Sequence, residues 1–243
     1  MQDMNLRSVD PHAMARAAAH QAMHRPVAPM IQPVSMPGAS GPGGGYMRYR
    51  EMTIDEMLLE NRVVFLVGEI NHVSAANVYM KMLYLQSVKR DQDINLYINS
   101  PGGSVVDTLA VYDVMRFLNC DVATYCIGEC ASGGALLFMA GKKGKRYILP
   151  NAKVMIHQPF GGVYGQAADI EIQAEEILKT KEKLIEIMAK STGQSIDRIR
   201  EDSERDRFFD ARQSVAYGLC DEVLGEDTTP EQAEQAADAS KPK

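Results

Sequence analysis

The chain has 243 residues, a formal charge of −6 and a hydrophobic fraction of 45%. That length fits one large domain with tails, and that fraction can build one sizeable core. The acidic balance argues against a general nucleic-acid binder, which carries a basic face. No apolar run approaches the roughly 18–20 residues a membrane span needs.

Residues 1–48 are rich in Ala, Met, His, Pro and Gly and run into "PGASGPGGGYMRYR". Prolines and glycines interrupt any helical or strand period, so a mobile N-terminal tail or a removable propeptide is expected there. His12, His20 and His24 fall in this tail, but no carboxylate or cysteine cluster accompanies them, so no metal site is assigned. The opening "MQDMNLRSVDPHAMA" lacks the basic-then-apolar pattern of a secretory signal. The four cysteines, Cys120, Cys126, Cys130 and Cys220, show no zinc-type CxxC pairing and read as buried reduced thiols, which suits the cytoplasm.

The body alternates strand and helix. "RVVFLVGEI" reads as an apolar strand and "SAANVYMKMLYLQSV" as a helix. "DINLYINS" is a second strand, followed by the turn "PGGS" and a helix through "VVDTLAVYDVMRFLN". "DVATYCIG" is a third strand and "ASGGALLFMAG" a third helix, with short strands in "RYILP" and "KVMIHQPF". Strand–helix–strand spacing of this kind implies crossovers and a largely parallel sheet. The fold class is therefore α/β.

"AADIEIQAEEILKTKEKLIEIMAKSTG" predicts one long amphipathic helix, with Ile170, Ile177, Leu184, Ile185 and Met188 on its apolar stripe and Gly193 as its C-cap. A stripe of that length needs a surface to cover it. "SIDRIREDSER" predicts a shorter helix, and Asp210 with Gln213 makes a capping box ahead of "ARQSVAYGL". "CDEVLG" closes as a strand, and residues 226–243 form a polar, acidic C-terminal tail.

The chemistry concentrates in "GECASGG", where Ser132 stands among small residues at the junction of a strand and a helix. Acyl transfer needs an activated nucleophile, a base, a group that orients the base, and donors aimed at the developing oxyanion. Only His72 and His157 lie in the body. His72 opens a helix, where capping or exposure is expected. His157 ends a strand before "QPFGG", which suits either a cleft rim or a structural histidine. The turn "NSPGGSV" leaves backbone N–H groups accessible at a helix start, so Gly103 is one natural oxyanion donor, and Gly133, directly after Ser132, is a second. Losing one such donor costs about 3–4 kcal/mol in comparable enzymes. The loop lacks the GK[ST] ending of a phosphate-binding P-loop. Cys130 offers a rival nucleophile but stands two residues from Ser132 with no charged helper in view.

Together "YINSPGGSV", "GECASGGALLFMAGKKGKRYILPNAKVMIHQPFGG", "GQAADIEIQAEEILK" and "ERDRFFDARQSVAYGLCDEVL" resemble the proteolytic subunit of the Clp protease, in order from about Asn61 to Leu224. The resemblance implies a spiral of strand–strand–helix repeats like the crotonase fold, with a protruding handle helix, over residues 49–225. It implies a catalytic triad of Ser132, His157 and Asp206, with Gly103 and Gly133 forming the oxyanion hole. Asp206 lies among the many charges of "REDSERDR", and only the family motif selects it. The resemblance further implies two stacked heptameric rings, of one subunit or mixed with a paralogue, joined through the handles. A separate AAA+ unfoldase of the ClpX, ClpA or ClpC type would spend ATP and feed in unfolded protein substrates. The chain itself would need no cofactor and bind neither nucleic acid nor membrane. Tyr97, Phe117, Tyr125, Tyr147 and Leu149 are expected as surface residues of the unfoldase docking cleft.

Two departures stand out. The family's Ala-Ala-Ser-Met-Gly around the nucleophile is here Cys130, Ala131, Ser132, Gly133, Gly134. The family's short N-terminal gate strand is replaced by "YMRYREMTIDEMLLENRVV". They leave open a non-catalytic ring subunit beside an active paralogue. Weaker alternatives are a crotonase-type acyl-CoA enzyme, which would typically use glutamates and lack a serine–histidine pair, and a serine–lysine signal peptide peptidase, whose lysine base has no clear place here.

Overall fold

Thr53 and Glu56 form a reciprocal capping box, each side chain taking the other residue's backbone N–H, and so start helix α1 (Ile54–Glu60). The computed structural model describes residues 32–33, 49–50, 52–159 and 165–225. The two expected tails lie outside the described residues, apart from Gln32–Pro33. The chain divides into two compact units, Met1–Val63 and Val64–Lys243. In the first, β1 (Gln32–Pro33) pairs antiparallel with β2 (Tyr49–Arg50), and α1 follows.

The second unit is an α/β fold around a seven-stranded sheet. Its strands are β3 (Val63–Val67), β4 (Ile94–Ser100), β5 (Val122–Ala131), β6 (Arg146–Ile148), β7 (Lys153–Ile156), β8 (Arg207–Phe209) and β9 (Glu222–Val223). The main order is β3-β4-β5-β6-β9, with β7 beside β5 and β8 beside β7. The β4–β5, β5–β6, β5–β7 and β6–β9 pairings are parallel, as the strand–helix alternation predicts; β7–β8 is antiparallel. Alternate residues of β4, Ile94, Leu96 and Ile98, are fully buried, as one face of a strand must be when helices cover it.

Helices α2 (His72–Val88) and α3 (Val105–Phe117) pack on each other, and α3 packs on α4 (Gly133–Met139). Helix α2 begins two residues before its sequence reading because the Asn71 side chain accepts the N–H groups of Val73 and Ser74. Helix α5 (Ala167–Thr192) ends on Gly193 in the left-handed conformation, as its spacing predicts. Leu184, Ile185, Ile187 and Met188 anchor its C-terminal half, whereas every residue from 167 to 179 is exposed in the isolated chain. Then come α6 (Ile196–Asp202), capped by Ser195, and α7 (Ala211–Tyr217), started by the expected Asp210–Gln213 capping box.

One irregularity in the sheet positions the site. Ile98 pairs with Cys126 but Ser100 pairs with Cys130, so two steps along β4 face four along β5. Gly128 lies in this bulge, where a Cβ would stand 2.8 Å from Asn99 Oδ1; that same oxygen accepts the Glu129 N–H at 3.1 Å. The bulge re-aims the strand. Its first half, Thr124–Cys126, pairs with β6, and its second half, Glu129–Ala131, pairs with β7.

Candidate active site

Ser132 follows the last residue of β5 and caps α4 with φ 55° and ψ −120°. A non-glycine residue with that backbone carries strain of order 1–3 kcal/mol and persists only where its surroundings hold it. Here its N–H donates to Met155 O at 2.9 Å and its carbonyl accepts from Leu136 N–H at 3.0 Å. Gly102 presses from the other side: a Cβ there would stand 2.7 Å from the Ser132 Cβ. The strand-to-helix corner therefore turns the hydroxyl out of the sheet instead of burying it.

Register places its partners. Ala131 pairs with Met155 across the parallel β5–β7 contact, so Ser132 lies beside the end of β7. The antiparallel β7–β8 ladder matches Ile156 with Arg207, and one step further out sets His157 against Asp206. The result is a chain of two hydrogen bonds: His157 Nε2 to Ser132 Oγ at 2.8 Å, and His157 Nδ1 to Asp206 Oδ1 at 3.0 Å. The imidazole is 16% exposed and the carboxylate 63% exposed. Beyond it, Gln158 N–H donates to Ser203 O at 2.6 Å and its side-chain amide to Glu204 O at 3.1 Å, tying the end of β7 to the segment that carries Asp206.

The glycine turn completes the constellation. Ile70 and Gly103 form a single parallel bridge in which Ile70 N–H donates to Gly102 O and Ser104 N–H donates to Ile70 O, both at 2.8 Å. That pattern leaves the Gly103 N–H outside the bridge. Gly103 needs its φ of 152° and its missing Cβ, because a Cβ would fall 2.2 Å from Ile70 O. Gly133 is the first residue of α4, where a helix offers its N–H no internal acceptor. Serine, imidazole, carboxylate and two backbone donors are the parts that acyl transfer requires. Val105, Leu136, Leu184 and Met188 wall an apolar cavity of about 40 Å³ beside Ser132.

A family model of the Clp protease matches residues 47–227. The ATP-dependent Clp protease proteolytic subunit 1 of Rhodopirellula baltica is 55% identical over 179 residues, covering 74% of this chain and 79% of that protein. The chain belongs to the Clp protease family. It is a proteolytic subunit of the Clp type, a hydrolase of peptide bonds, built for an oligomeric proteolytic assembly.

The structure brings together all five residues named for the chemistry and separates the rival nucleophile from it. The Cys130 side chain is fully buried, its Sγ contacting Ile98 O at 3.7 Å, and burial holds its thiol well above the ordinary range. A protonated, enclosed sulfur is a poor nucleophile. His72 is exposed as expected and pairs through Nδ1 with Asp107 Oδ1 at 2.6 Å; that pairing, set by the packing of α2 on α3, has no sequence signal. Hydrogen bonding to Ser104, and then to His72, holds the Asp107 carboxyl below the usual carboxylate range.

One expectation is corrected. Tyr125 and Tyr147, read as surface residues, are each 3% exposed. Neighbouring strands bring four rings into one ladder, with Tyr97, Tyr125 and Tyr147 in register on the parallel β4, β5 and β6: Phe65 to Tyr97, Tyr97 to Tyr125 at 4.3 Å, and Tyr125 to Tyr147 at 5.1 Å between centroids. Burial deepens along the ladder, from the exposed Phe65 to the covered Tyr125 and Tyr147. Tyr97 is half-buried, while Phe117 and Leu149 are exposed as expected.

Proposed function

We propose that this subunit cleaves unfolded polypeptides as a serine endopeptidase, with Ser132 as nucleophile. The observation that carries the reading is the hydrogen-bonded path from Ser132 Oγ through both nitrogens of His157 to Asp206. Ser132 Oγ attacks the scissile carbonyl carbon as His157 Nε2 takes its proton. The carbonyl oxygen becomes an oxyanion facing the N–H groups of Gly103 and Gly133. As the intermediate collapses, His157 returns the proton to the leaving amine and an acyl-serine remains. Water, deprotonated by the same imidazole, then attacks the ester and frees Ser132. Asp206 holds Nδ1 protonated, keeps Nε2 free to accept, and stabilises the imidazolium.

The subunit works in two stacked heptameric rings, homomeric or mixed with a paralogue, within the cytoplasm. The exposed Ile170, Ile172, Ile177 and Leu178 on α5 support a ring contact through a handle helix. Four buried cysteines, none of them in a disulfide, suit a reducing compartment. A partner AAA+ unfoldase of the ClpX, ClpA or ClpC type spends the ATP, and this chain needs no cofactor of its own. The unfoldase docks at the aromatic ladder, with Tyr97, Phe117 and Leu149 at the contact and Tyr125 and Tyr147 supporting them. Phe117 is 73% exposed, so Phe117→Ser is expected to spare peptide hydrolysis and weaken unfoldase-driven protein degradation. Unaltered protein degradation by that variant overturns the docking reading.

The deciding experiment is labelling of the assembled protein with a fluorophosphonate, mapped by peptide mass spectrometry. An adduct on Ser132, absent from Ser132→Ala, is expected. No adduct in assembled protein assigns the chain to a scaffold role beside an active paralogue.

A further inference from the structure

The residue after the nucleophile has no side chain, and another residue stands in its place. A Cβ on Gly133 would lie 2.4 Å from Thr108 Oγ1, 3.2 Å from Thr108 Cγ2 and 3.3 Å from Ile70 Cδ1. Thr108 is 2% exposed on the first turns of α3, and it cannot swing aside. Its hydroxyl donates to Ser104 O at 2.8 Å while its own N–H reaches the same carbonyl at 2.9 Å, which fixes χ1. The methionine usual in the family after the nucleophile has no room beside a threonine held in this way.

Thr108 and Gly133 both line the cavity beside Ser132, together with Val105, Leu136, Leu184 and Met188. The pocket is thus apolar on the α4 and α5 sides and closed by Thr108 on the α3 side. The cavity of about 40 Å³ opens beside Ser132, and the methyl and hydroxyl of Thr108 take up space on its α3 wall that a smaller residue would leave to a bound side chain.

We infer that Thr108 is a specificity-determining residue, the fixed wall of the pocket for the side chain whose carbonyl is attacked, and that its presence makes glycine obligatory at position 133. Thr108 narrows the pocket and so favours aliphatic side chains over the larger aromatic ones. This rests on Ser132 being the nucleophile.

The test uses the assembled full-length protein and two capped fluorogenic tripeptides that differ only in leucine or phenylalanine before the scissile bond. Active sites are titrated with a fluorophosphonate, and the leucine-to-phenylalanine ratio of kcat/KM is taken within each variant. The ratio is expected to exceed about tenfold in the natural protein and to fall about tenfold in Thr108→Ala, chiefly through KM for the phenylalanine substrate. Thr108→Ser, which keeps the hydroxyl and drops one methyl, falls between. Gly133→Ala is expected to lose at least 100-fold on both substrates, and adding Thr108→Ala to it to recover at least tenfold. A ratio that Thr108→Ala and Thr108→Ser leave unchanged overturns the inference, as does a fully active Gly133→Ala. No fluorophosphonate adduct on the natural protein instead overturns the serine reading, so the two failures are separable.

Discussion

Asp202 and Asp206 stand four residues apart in one charged segment, and the fold treats them oppositely. The Asp202 side chain is 5% exposed and accepts from Arg198 Nε at 2.6 Å, from Tyr217 Oη at 2.7 Å and from Arg207. Asp206 is mostly in water and has a hydrogen bond to His157 alone among the contacts described. Burial with both oxygens engaged makes the first carboxylate a structural tie between α6, β8 and α7. Exposure with one aligned bond makes the second cheap to hold and able to follow the charge on an imidazole. The difference teaches that the number of partners a carboxylate has is a poor guide to function. What matters is whether its one bond reaches a group that changes charge.

Two substitutions break this comparison from opposite ends. Asp206→Asn is expected to have the larger effect, a loss of about 10⁴-fold in kcat, because an amide favours the wrong imidazole tautomer. Its thermal midpoint should stay close to that of the natural protein, since an exposed pair contributes at most about 1 kcal/mol. Peptide hydrolysis and a melting curve on the same sample check both halves. A large loss of stability with little loss of activity would reverse the assignment of the two aspartates. Asp202→Ala is expected to act the other way, costing about 3 kcal/mol by leaving the buried Tyr217 hydroxyl unpaired and two arginines uncompensated. That figure sits low in the range for buried ion pairs because Arg198 and Arg207 are a quarter and a third exposed and can regain water. At about 2–4 °C per kcal/mol the melting midpoint should fall by several degrees. The fraction that remains folded and assembled should still label at Ser132, which a fluorophosphonate titration reads directly.

The same contrast marks what could be read in advance. Helix α5 was legible because Ile170, Ile177, Leu184, Ile185 and Met188 recur on one face and Gly193 stops the chain, both being local properties. The Asp210–Gln213 capping box was legible for the same reason. Helix α1 carried an equally local signal, Thr53 followed three residues later by Glu56, and that pattern was the cue to look for. Tyr125 and Tyr147 were misread as surface residues because nothing in the apolar alternation of a strand tells which rings its neighbours will cover.

Sequence by itself determined the alternation of strands and helices, the caps, the acidic balance, and, through the family motif, which serine, histidine and aspartate to watch. Those are properties of residue type at short spacing, where backbone dihedrals and side-chain period act within a few residues. Tertiary structure alone decided that a bulge opposite Asn99 turns β5 onto β7, that Ile156 pairs with Arg207 and so sets His157 against Asp206, and that Thr108 fills the space beside Gly133. Each of these joins residues 24 to 51 positions apart, and no local preference specifies such a contact. Register and packing do, because one slipped residue in a ladder turns every side chain to the other face.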